Sequence, residues 1–235
     1  METLHMEGHT SECAIAEPAQ ERRVTARLVL AAGALWVALA QANPAHAADD
    51  LVQITFHGCS AAEQIAVQTA VTDADHALAL ARADLLARLP APTVERAAQM
   101  YFGRSTPLAT IADGFGHIAA RLDGKASPIA VHCHSSEPRM FGWVPLEDCG
   151  TAKAAELHLG KSFFDAAAYV GIDSRMGTII HEVAHLAPGL GANCEAGLTE
   201  RYREDEVLML GRLHPGYALE NAQNYEYYVE ALYGH

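Results

Sequence analysis

Apolar positions recur at three- and four-residue spacing through most of the chain beyond residue 57 and alternate only in brief stretches, the mark of a helical protein with a little sheet. Leu51 to His57 alternates enough for a short strand. Ser60-Ala-Ala-Glu63 has the form of a capping box, in which a hydroxyl and a carboxylate each satisfy an orphan backbone donor. It opens an Ala/Leu-rich helix running to about Leu89, which Pro90 and Pro92 end. A second helix is predicted over about Thr93 to Tyr101. A third covers about Pro107 to Leu122, with Leu108, Ile111, Phe115, Ile118 and Leu122 on one face. Pro128 to His134 and Ala155 to Leu159 read as strands, separated by a Pro- and Gly-containing connection that holds Trp143 and Cys149. Helical spacing then returns around Ser162 to Tyr169, Ser174 to Leu186, Thr199 to Leu213 and Ala218 to Leu232. These elements make a predominantly helical α+β domain with a small β-sheet.

The first 47 residues fall outside this pattern. Arg22, Arg23 and Arg27 precede an apolar run, Leu28 to Ala40, too short to span a bilayer. Asn43-Pro44 breaks the run and Ala45-His46-Ala47 offers small residues at alternate positions. Residues 1–47 therefore read as a signal peptide with an extended leader, cleaved after Ala47, and residues 48–235 as a single exported domain with no stable membrane anchor. Cleavage takes away three arginines and five acidic residues and moves the net charge from −13 to −11. That is the wrong sign for a nucleic-acid partner. It also leaves Cys59, Cys133, Cys149 and Cys194, an even number in a chain directed to an oxidising compartment, hence two disulfides of open connectivity. No C-x2-C pair supports a four-cysteine zinc site.

Chemistry concentrates at His181-Glu182-Val183-Ala184-His185, a pattern that the composition would produce by chance only about 0.05 times in such a chain. On a helix, residues four apart share a face, so both imidazoles can meet one cation while Glu182 stands beside them as a base for a water. His132 and His134 flank Cys133 on one strand face without a third partner in sequence, and His57, His76, His117, His158 and His214 are scattered singly.

Gly177-Thr-Ile-Ile-His-Glu-Val-Ala-His185 resembles the Gly-Thr-x-x-His-Glu-x-x-His signature of the aspzincin metallopeptidases, the deuterolysin and peptidyl-Lys endopeptidase group. Phe56-His-Gly-Cys59, the Cys133 region, Leu157-His-Leu-Gly160 with Phe163-Phe164, Gly171-Ile-Asp-Ser174 and Asn221-Ala-Gln-Asn-Tyr-Glu-Tyr227 resemble further landmarks in family order. The resemblance implies a zincin-like fold and an endopeptidase acting on polypeptides with one Zn2+ per chain. Two histidines and an aspartate hold the metal there, the Glu after the first His is the general base, and a tyrosine stabilises the oxyanion. His181, His185 and Glu182 match. The family aspartate falls on Thr199 if Tyr202 is the tyrosine, with Arg203 at the following glycine, so Glu200 becomes the expected third ligand, with Asp205 and Glu195 as alternatives. A different H-E-x-x-H arrangement would use Glu204 or Glu206. In lysine-specific members an Asp and a Glu receive the substrate ammonium; Gln223 replaces that Asp and Glu226 remains, which implies a basic or broad preference. The departures at Thr199, Arg203 and Gln223 also admit a catalytically impaired zinc-binding or interaction protein on the same fold. Oligomeric state is not legible in the sequence.

Overall fold

A computed structural model describes residues 51–136, 139–145, 148–150, 155–188, 190 and 200–233. The expected division at residue 47 lies outside them. Strand β1 (Ile54–His57) leads into α1 (Ala61–Leu86), followed by α2 (Pro92–Phe102) and α3 (Leu108–Leu122). Strands β2 (Ile129–His134), β3 (Gly142–Trp143) and β4 (Ala155–Gly160) come next, then α4 (Lys161–Asp165), α5 (Arg175–Leu186), α6 (Glu204–Leu213), α7 (Pro215–Ala218) and α8 (Ala222–Tyr233). The sheet order is β1-β2-β4-β3, with β1, β2 and β4 parallel and β3 antiparallel at the edge.

The capping box forms as the sequence implies. Ser60 N donates to Glu63 Oε2 at 2.7 Å and Glu63 N donates to Ser60 Oγ at 3.3 Å. The buried face of α1 is largely alanine (Ala70, Ala74, Ala77, Ala81) with Val67, Val71, Leu78 and Leu85, and small residues let α3 and α5 lie close against it. Phe102, Phe115, Tyr225 and Tyr228 pack edge-on or tilted in the middle of the helical layer. Helix α5 lies between α1, α3 and α8, and every residue from Met176 to Leu186 is buried.

Strand alternation sends Ile54, Phe56, Ile129, Val131, Ala155, Leu157 and Leu159 into the core or against it. It leaves His57, His132, His134, Glu156 and His158 on the outer face.

The sequence pattern departs from the structure in four places. The strand Gly142–Trp143 is absent from the sequence reading, since two residues carry no periodicity. The helix expected over Ser162 to Tyr169 stops at Asp165. The carbonyls of Ala167 and Ala168 instead accept from Arg175 N (2.9 Å) and Met176 N (3.0 Å), satisfying orphan donors at the start of α5. The helix expected from Thr199 begins only at Glu204, because Asn221 holds Arg201 in a non-helical segment through both backbone groups, N to Oδ1 at 2.9 Å and Nδ2 to O at 3.0 Å. The last helix, expected from Ala218, begins only at Ala222 and is preceded by the short α7, with the Leu219 carbonyl between them accepting from the Tyr225 hydroxyl at 2.8 Å.

Candidate active site

Helix α5 is fixed at its start by a side chain from α8. Ser174 caps it, accepting from Gly177 N at 3.0 Å, and Glu230 Oε1 accepts from both Ser174 N and Ser174 Oγ at 2.8 Å. Gly177 is glycine for want of space, since a Cβ there would run into the Glu230 carboxylate. Burial, with Glu226 nearby, pushes the Glu230 carboxyl up to about 8.

One turn further along, His181 and His185 turn their Nε2 atoms toward each other at 3.2 Å. Glu200, from the segment held by Asn221, sets Oε1 at 3.4 Å from His181 Nε2 and Oε2 at 3.4 Å from His185 Nε2. Three donors on a tetrahedral zinc with bonds of about 2.0–2.1 Å would stand about 3.3 Å apart. The Nε2–Nε2 distance and the two histidine–Glu200 distances each lie near that edge, with one Glu200 oxygen facing each ring. Glu200 Oε1 is buried without a hydrogen-bond partner, a costly state for a carboxylate oxygen unless a cation meets it.

Further acids surround the pair. Ligand-capable atoms of His181, Glu182 and His185 lie within 4.8 Å of one another, and Glu226 Oε2 stands 3.0 Å from His181 Nδ1. Gln223 Nε2 donates to the same Glu226 oxygen at 2.7 Å. Burial opposes a charge on His181, but the hydrogen bond to Glu226 and the carboxylates of Glu200 and Glu182 outweigh it and push the imidazole up to about 10. Burial raises Glu182 and Glu226 as well. So acidic a pocket calls for positive charge, and a divalent cation supplies it better than a proton.

Beside this centre is a cavity of about 400 Å³ whose lining includes Gly142, Asp173, Thr178, Glu182, Tyr202, Gln223 and Glu226. The Tyr202 ring stacks on His181 with centroids 5.8 Å apart, and its main-chain carbonyl accepts from the Tyr227 hydroxyl at 2.8 Å. Burial, with the Glu200 carboxylate beside it, pushes the Tyr202 hydroxyl well above the ordinary tyrosine range. Gly142 of β3 borders Glu182 so closely that a Cβ would lie 2.8 Å from Oε1 and 2.9 Å from Cγ.

The structure thus brings together His181, Glu182, His185, Glu200, Tyr202, Gln223 and Glu226. It does not bring in Asp205, which pairs with Arg203 at 3.1 Å on the surface, or Glu204, which is exposed, or Glu206, which reaches Arg201 at 4.0 Å. Glu195 and Cys194 lie outside the described residues. Cys59 and Cys133 form a disulfide joining the end of β1 to β2, and Cys149 is disulfide-bonded as well. Gly142, Asp173, Asn221, Tyr227 and Glu230 escape the sequence reading as site residues. Asn221 and Tyr227 stand in a stretch quoted above as a family landmark, but nothing local to it tells which backbone they hold.

Three likenesses bear on this arrangement. The fold resembles that of a zinc peptidase from Grifola frondosa, with a TM-score of 0.56 at 22% identity over 73% of this chain and 96% of that one. An extracellular protease of Aeromonas hydrophila is 38% identical over 76 residues, 32% of this chain, and the match spans only a fifth of that protein's length. The family model described as lysine-specific metallo-endopeptidase matches residues 90–230, more than half of the chain and all of the site built above. By that match the chain belongs to the aspzincin family of metallo-endopeptidases.

Proposed function

We propose that this protein is an exported endopeptidase in which His181, His185 and Glu200 hold one zinc ion and Glu182 is the general base. The observation that carries the reading is the buried Glu200 carboxylate, whose Oε1, without a hydrogen-bond partner, faces His181 Nε2 and whose Oε2 faces His185 Nε2, each at 3.4 Å. When bound, zinc supplies Lewis acidity, polarising the scissile carbonyl and making a water more acidic. Glu182, with its pKa raised by burial, accepts the proton of the attacking water and returns it to the leaving amine as the C–N bond breaks. Tyr202 keeps its proton at any working pH and donates to the carbonyl oxygen as that oxygen becomes negative. Glu226 accepts from His181 Nδ1, which leaves Nε2 for the metal.

The cavity carries the carboxylates of Asp173 and Glu226, whereas Gln223 is neutral and Arg139 adds a positive charge on the rim. A basic or broad side-chain preference follows, weaker than a pair of free acids would give. The leader of residues 1–47 and the likeness to an extracellular protease support export.

A second reading, a zinc-binding protein without turnover, draws on Thr199, Arg203 and Gln223 at positions where the family pattern differs. One experiment separates the two. Mature protein and its Glu182→Gln variant are assayed for zinc content and casein cleavage. Cleavage by the first, and loss of cleavage with retained zinc in the second, is the expected result. Zinc without cleavage in the unaltered protein would favour the second reading.

A further inference from the structure

The outer face of the sheet carries a constellation that the peptidase centre does not use. Register places His57 opposite His132, His132 opposite His158, and Trp143 opposite His158, so one aromatic rung crosses all four strands. The rings stack at centroid distances of 4.6, 4.7 and 4.6 Å with interplanar angles of 14°, 16° and 12°. Two residues along β2 from His132, His134 shares the face and sets Nε2 at 2.9 Å from His158 Nδ1. Two residues before His158 on β4, Glu156 sets Oε2 at 3.4 Å from His158 Nε2 and 3.9 Å from His132 Nε2.

The cluster corrects the sequence reading, which left His57 and His158 as scattered residues and His132 and His134 without a third partner. Parallel pairing of β2 with β4 supplies Glu156 and His158, and no local pattern announces that register.

We propose that His132, Glu156 and His158 form a second site, for a transition-metal ion such as Zn2+ or Cu2+, separate from the peptidase centre. One ligand atom from each lies within 4.8 Å of the others. The His158–Glu156 distance already matches a tetrahedral edge of about 3.3 Å, and the longer His132 approach closes by rotation of the exposed Glu156. A donor set of two imidazoles and one carboxylate suits zinc or copper rather than calcium or magnesium, which take oxygen ligands. His134 engages His158 Nδ1 and so directs Nε2 outward, the arrangement by which a neighbouring group fixes a ligating imidazole. Trp143 covers the far side of the His158 ring. An ion held here ties β2 to β4 across the sheet.

The test uses untagged mature protein stripped with chelator, dialysed against Zn2+ or Cu2+ and analysed for bound metal. His132→Gln/His158→Gln is expected to hold one ion fewer than the unaltered protein, whatever the peptidase centre retains, and Glu156→Gln to weaken binding at this site by at least roughly tenfold. Glu156 is half-exposed, so its variant reports on the site without risk to the fold. Copper electron paramagnetic resonance should show nitrogen ligands that vanish in the double variant. Equal metal content in the unaltered protein and the double variant, or unchanged affinity in Glu156→Gln, would overturn the proposal.

Discussion

Replacing Gly142 by alanine perturbs Glu182, the general base proposed above. Gly142 has no left-handed φ, so alanine can adopt its backbone and the effect is one of space alone. The added methyl would stand 2.8 Å from Glu182 Oε1, 2.9 Å from Cγ and 3.0 Å from Cδ, where ordinary contact begins near 3.4 Å. Glu182 is buried on a helix packed on three sides, so the carboxylate has to move by about 0.5–1 Å or β3 has to withdraw by a like amount. A misplacement of about 1 Å costs on the order of 10²-fold in rate, and half of that something nearer tenfold. Gly142→Ala should therefore lower kcat roughly 10- to 100-fold on a quenched fluorescent peptide. Zinc content should stay close to that of the unaltered enzyme, since the three atoms nearest the added methyl all belong to Glu182. An unchanged kcat at full zinc occupancy would refute the assignment of Glu182 as the base that β3 confines.

Other consequences follow from the same contacts. Asn221→Ala frees the backbone of Arg201 beside Glu200, the proposed third ligand, and should weaken zinc binding by about 10- to 100-fold in a chelator competition; unchanged affinity would show that Glu200 does not depend on that clamp. Cys59→Ser/Cys133→Ser opens a link across 74 residues, for which chain entropy alone gives about 4 kcal/mol, so the denaturant midpoint should fall well outside error; a loss below about 1 kcal/mol would contradict it. Glu230, pushed up to about 8, holds in the fold a proton that the unfolded chain releases near 4.5. Its contribution is complete below that lower value and is lost as pH climbs through about 8. The unfolding midpoint should accordingly fall between about pH 5 and pH 8 and change less in Glu230→Gln; identical profiles would exclude Glu230 as the cause.

What the sequence discloses of this molecule is what adjacent residues decide. Ser60 and Glu63 cap α1 because both partners sit within one turn, and His181 and His185 share a face because helical geometry fixes their spacing. Glu200 is nameable as a ligand only by its nearness to Tyr202 in sequence. The reason it reaches the histidines is tertiary, since Asn221, just before α8, and Tyr227 on α8 hold the 200–202 segment out of helix and against α5. Glu226 illustrates the converse: sequence places it with Gln223 as a substrate contact, and folding also gives it a hydrogen bond to His181. The two-residue strand β3, the confinement of Glu182 by Gly142 and the histidine rung all depend on strand register, which has no signature in composition or periodicity.

The central claim is that Glu200 completes a metal centre with His181 and His185. Crystals of the zinc-loaded protein measured on both sides of the zinc absorption edge test it most directly. The account predicts an anomalous peak within about 2.0–2.2 Å of His181 Nε2, His185 Nε2 and a Glu200 oxygen, with Glu182 uncoordinated. A peak at the two histidines with Glu200 turned away, or with Glu182 as the third ligand, would contradict it.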